Sequence, residues 1–111
     1  MQIPLKITMR NFPRSEALDE RIRQKAAKLD EFHPNVTGCD VTVEEQRRHH
    51  RQGHWFNVRV VVHVPGQEIV VNRDHDEDPQ VALRDAFAAV VRRLEDVARI
   101  HRGDVKVHAA T

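Results

Sequence analysis

The chain has 111 residues, 40% of them apolar and 32% charged, and its formal net charge is only +1. That length suits one small domain with a single core, and so even a charge balance does not by itself mark a nucleic-acid binder. Cys39 is the lone cysteine, which excludes an internal disulfide and a cysteine-rich zinc site; no run of about eighteen apolar residues offers a membrane span.

The N-terminus passes straight into a strand pattern with no signal-peptide character, so a reduced, cytoplasmic setting is expected. Ile3, Leu5, Ile7 and Met9 alternate with Pro4, Lys6 and Thr8, the pattern of a half-buried strand. Asn11 to Arg14 reads as a turn. Ser15 is placed to cap a helix, with Glu16 and Asp19 in its positive first turn. Leu18, Ile22, Ala26 and Leu29 mark the buried stripe of that helix, which is expected to run to about Glu31 before His33 and Pro34 end it. Lys25 and Lys28 lie near its C-terminal end, where the helix dipole favours cations.

A second strand is expected from about Val36 to Glu45, with Val41 and Val43 inward. Residues 46–53 form a polar, histidine-rich hairpin loop. The third strand, about His54 to Val64, has the clearest alternation: Phe56, Val58, Val60, Val62 and Val64 against Trp55, Asn57, Arg59, Val61 and His63. Pro65 and Gly66 make a turn in which glycine supplies positive φ. A fourth strand, Glu68 to about Arg73, closes the hairpin. The acidic segment Asp74 to Asp78 then leads into a second helix.

That second helix has the strongest signals in the chain. Asp78 caps it, Pro79 sits at its first position and Gly103 at its end. Leu83, Phe87, Val90, Val91, Leu94, Val97 and Ala98 fall in one stripe about 120° wide. Arg84, Arg92, Arg99 and Arg102 lie beside that stripe within about 80° of one another.

The order is β-α-β-β-β-α. The first helix must cross between parallel strands, right-handed by the usual rule. The expected fold is α+β: a four-stranded mixed sheet with two helices packed on one face, like a double-stranded-RNA-binding domain. Residues 1–103 form the domain and 104–111 a flexible tail.

No sequence pattern points to catalysis. There is no phosphate loop, nucleophile elbow or Ser/His/Asp arrangement. The carboxylates of residues 74–78 are explained by the helix N-terminus they precede. His49, His50, His54, His63 and His75 are metal-ligand types, but adjacent loop histidines rarely reach one ion, so no metal site is assigned. No cofactor and no small-molecule substrate are expected. The cations remain. Any one of them suits a solvated face with intrahelix pairs, such as Asp96 with Arg92 or Arg93, and Arg99 with Glu95. Two adjacent helices would nevertheless present them together, as surfaces that meet RNA phosphates do.

The chain also resembles a known family. The segments that carry the likeness are the opening strand, SEAL from Ser15, KAAKLDEF from Lys25 to Phe32, VALRDAF from Val81 to Phe87, and the basic helix end from Arg92 to Lys106. These are similar to the ribosome hibernation-promoting factors and the related ribosome-associated inhibitor, the sigma-54 modulation protein family. The family usually has a tyrosine where Val81 stands, and lysines where this helix end uses arginine. The resemblance implies a non-catalytic factor that binds small-subunit rRNA in the decoding and tRNA channel and silences translation during stress or stationary phase. Its implied rRNA-facing residues are Lys25 and Lys28 on the first helix and Arg84, Arg92, Arg93, Arg99, His101 and Arg102 on the second. It also implies a single-domain form, for which ribosome pairing would need a second factor. Two other readings stand beside it: a histidine-rich metal- or pH-responsive module, and a generic double-stranded-RNA binder.

Overall fold

A computed structural model of the chain describes residues 3–46, 55–75 and 77–102, with backbone alone at His75, His101 and Arg102. The elements are β1 (Leu5–Arg10), α1 (Glu16–Ala27), a 3-10 turn (Leu29–Glu31), β2 (Gly38–Gln46), β3 (Trp55–Val64), β4 (Gln67–His75) and α2 (Pro79–Arg102). They form one four-stranded sheet in the order β1-β2-β3-β4. β1 runs parallel to β2, with Leu5 opposite Cys39 and Met9 opposite Val43; the other two pairings are antiparallel. The expected α+β architecture is the one observed.

The helices form where the capping chemistry places them. The Ser15 hydroxyl accepts from the Leu18 amide at 3.2 Å, and Ser15 itself is extended, as an N-cap residue is. Asp78 accepts from the Gln80 amide at 2.8 Å. Asp19, in the first turn of α1, also binds the guanidinium groups of Arg14 and Arg23. α1 ends earlier than its apolar spacing suggests, because the last turn tightens to 3-10 geometry over Leu29–Glu31. The stripe nonetheless continues, since Leu29 is as buried as Leu18. β4 runs past Arg73 to His75, so part of the acidic segment belongs to the sheet rather than to a loop.

The core lies between one sheet face and both helices. Val41 and Val43 of β2, Val58, Val60 and Val62 of β3, and Ile69 and Val71 of β4 meet Leu18 and Ile22 of α1 and Leu83, Val90 and Leu94 of α2 in a single cluster. Each such side chain contributes about 1.5–3 kcal/mol relative to exposure. On α2 the buried surface is wider than the expected stripe, because Ala82, Ala86 and Ala89 are buried as well. These add a strip of small residues on one flank, and the contact spans about half the helix circumference. Phe12 packs edge-on against Phe56, with ring centroids 5.4 Å apart. Asn11 takes a left-handed φ of 69° and donates to the Glu45 carbonyl at 3.3 Å, fixing the turn after β1 to the end of β2.

The opposite sheet face is open and mixed in sign. Lys6 stands beside Asp40 and Arg10 beside Glu44 across the β1–β2 pairing. The His63 ring lies between two carboxylates, 3.1 Å from Asp40 and 3.3 Å from Glu68.

Candidate nucleic-acid interface

The cations that matter are set by the edges of the two helices. On α1, Arg21, Lys25 and Lys28 recur at helical spacing directly beside the buried stripe of Leu18, Ile22 and Ala26. On α2, Arg84 lies beside Leu83 and Phe87. Packing both stripes on one sheet face brings these edges together across a groove. Its basic section is bordered by Arg21, Lys25 and Arg84, and by Lys28 further along. The lining advances along both helices in the same sense, from Arg21 and Gln80 to Glu31 and Arg99.

Electrostatics confirm that these groups feel one another. The Lys25 ammonium titrates below the ordinary lysine value, chiefly because it is partly buried and also because Arg21, Lys28 and Arg84 repel its charge. Among the described residues, Arg21, Lys25 and Lys28 have no carboxylate partner. Among the described carboxylates Arg84 reaches its sequence neighbour Asp85 alone, at 3.3 Å, and it remains largely exposed.

The other expected positions divide. Arg99 borders the far end of the groove, where Glu31 and Glu95 are its neighbours, and it pairs with Asp96. Asp96 was expected to meet Arg92 or Arg93; its partner is Arg99, one turn on, and Arg92 is exposed. Arg93 stands apart: it lies at least about 100° round the helix from the other arginines, and it donates to the Val70 carbonyl of β4 at 2.9 Å. His101 and Arg102 end α2, and their side chains lie outside the described residues. Gln46, expected to open the histidine-rich loop, instead ends β2; the rest of that loop, residues 47–53, His54 and the expected tail, residues 104–111, are likewise outside the described residues. Among the described residues no cluster of histidine, cysteine and carboxylate side chains is disposed to hold a metal ion, and no helix is long and apolar enough to cross a membrane. Arg21 was missed by sequence reasoning, although its spacing of four and seven residues from Lys25 and Lys28 signalled a shared face.

Fold and site together define an α+β domain that presents cations from the facing edges of two helices while its open sheet face stays near charge balance. The chain belongs to the Sigma 54 modulation protein / S30EA ribosomal protein family, whose profile matches residues 5–102. Among solved structures, the N-terminal domain of Protein Y from Thermus thermophilus is similar, with a TM-score of 0.64 at 20% identity over 87% of this chain and 99% of that one. A ribosomal subunit interface protein from Coxiella burnetii gives a TM-score of 0.60 at 14% identity over 91% of this chain and 99% of that one. At such identities the likeness is one of fold. No curated protein sequence matches.

Proposed function

We propose that the protein is a non-catalytic ribosome-associated factor of the cytoplasm. It binds small-subunit rRNA through the α1–α2 edge and silences translation when cells are starved or resting. The observation that carries this reading is the convergence of Arg21, Lys25, Lys28 and Arg84 on one groove, three of them without a carboxylate partner among the described residues. A surface that leaves cations mutually repelling in the free state gains most from meeting phosphates, which relieve the repulsion. Family membership supports a ribosomal partner, and the Coxiella burnetii neighbour is named for the subunit interface. The decoding and tRNA channel is the place that the family resemblance suggests, and a second factor would supply any ribosome pairing. Arg92 and Arg99, with His101 and Arg102, would extend the contact along α2, whereas Arg93 would act at the α2–β4 junction.

Sedimentation tests the reading. In a lysate run through a sucrose gradient, the protein should travel with small subunits and whole ribosomes. It should also inhibit a cell-free translation system. Lys28→Glu combined with Arg84→Glu should leave the protein folded, at the top of the gradient, and without effect on translation. A folded wild type that stays at the top would sink the proposal.

A further inference from the structure

The groove has more than charge. Between Lys28 and Arg84 its floor is apolar, formed by Phe32, Phe87, Ala88 and Val91. A regular RNA duplex shows a protein its phosphates and 2′-hydroxyls, and such contacts need cations but no apolar floor. An unstacked base needs the reverse: a hydrophobic, preferably aromatic surface for its face, with cations at the rim for the flanking phosphates. Phe87 is buried beneath the floor, Phe32 is half-buried at the end of the 3-10 turn, Val91 is half-buried and Ala88 is exposed, so the part open to a ligand is formed by Phe32, Ala88 and Val91. Lys25, Lys28 and Arg84 stand around it with the sign that a phosphodiester requires.

We infer that this groove holds one unstacked nucleobase of the bound RNA, so that the element recognised is a bulge, loop or single strand and not an uninterrupted duplex. The inference rests on the reading above that the helical edge faces RNA, and it separates that reading from generic double-stranded-RNA binding. Lys25, Lys28 and Arg84 hold the phosphates on either side of the base. Ala88 sets the depth available to it: a larger side chain there, on an exposed helical position one turn from Arg84, fills the groove while every cation stays in the chain.

The test uses two short RNA stems that differ by one bulged 2-aminopurine, together with purified small subunits. The wild type should bind the bulged stem roughly tenfold or more tighter than the plain stem, the order expected for one stacked base. The fluorescence of the probe should change on binding. Ala88→Leu, a substitution that suits a helix, should keep the melting temperature and remove the preference and the fluorescence change, so that the two stems bind alike. Equal affinities for the two stems, or an Ala88→Leu variant that retains the preference, would overturn the inference while leaving small-subunit binding in place. Binding to small subunits that neither stem competes for would also overturn it, and would assign the groove to a ribosomal protein. A wild type that binds neither stem nor subunit would instead remove the underlying RNA reading.

Discussion

Lys25 shows at single-residue resolution how the site is built. Its ammonium is partly buried and faces three other cations, so the folded state holds its proton less tightly than the unfolded chain does. The sign follows from linkage: with the folded value lowered, the unfolded state binds more protons, and the penalty is greatest when the lysine is charged in both states, below the folded value. Lys25→Gln should therefore leave stability at neutral pH unchanged or raise it by up to about 1 kcal/mol, while weakening subunit binding. Thermal melts beside a binding titration would check both; a variant that loses stability would show that the lysine stem matters more than its charge. Cys39 makes the opposite point. Burial, reinforced by the nearby Asp40 carboxylate, pushes its thiol up to about 12. At pH 8 the folded protein should resist alkylation by iodoacetamide for as long as it stays folded, and denaturant should restore the reaction. Rapid labelling of native protein would mean that β2 opens locally.

At the scale of elements, α2 carries both roles, and they separate by face. Leu94 is fully buried against the sheet and Arg84 stands on the groove edge. Leu94→Ala should cost roughly 2–5 kcal/mol, read as a fall in the denaturation midpoint. Lys28→Glu with Arg84→Glu should cost little stability, since exposed charges add at most about 1 kcal/mol each, yet abolish binding. Arg92→Glu with Arg99→Glu should weaken binding less. Arg99 already shares its charge with Asp96 and sits between Glu31 and Glu95, so less positive field is there to lose. The reverse order of the two charge pairs in a subunit-binding assay would place the contact at the C-terminal end of α2 instead. This ranking was not legible in the sequence. The strands and helices were, because alternation in β3 and the caps at Ser15 and Asp78 are local signals. The face shared by α1 and α2 is not local: it depends on how two stripes register over the sheet. Helical spacing alone grouped Arg84 with Arg99, which the fold then placed among carboxylates. It could not show that Arg93 points to the β4 backbone, nor that Arg21, already at helical spacing from Lys25, also faces Arg84 of the other helix.

For the whole molecule the relevant quantity is how charge is distributed, because its sum is nearly zero. A net charge of +1 supplies little long-range steering, and on the open sheet face the cations Lys6 and Arg10 stand beside Asp40 and Glu44. Among the described residues the α1–α2 groove is the densest source of attraction to a polyanion, and salt dependence should report its cations together with those of α2 that extend the contact. If Arg21, Lys25, Lys28 and Arg84 each displace a counterion, those four should make log K fall against log salt with a slope of about −2.8 to −3.6, a loss of roughly 50- to 150-fold between 50 and 200 mM. Neutralising one contributor should remove about one unit of slope, so Lys28→Gln should flatten the line as well as lower it. Arg93→Gln should leave the slope where it is, because that guanidinium is committed to the Val70 carbonyl on the other flank of the helix. Titrations against small subunits at four or five salt concentrations would measure all three lines. Parallel lines for the wild type and Lys28→Gln would mean that Lys28 does not meet a phosphate, and a flat wild-type line would mean that the groove binds something other than nucleic acid.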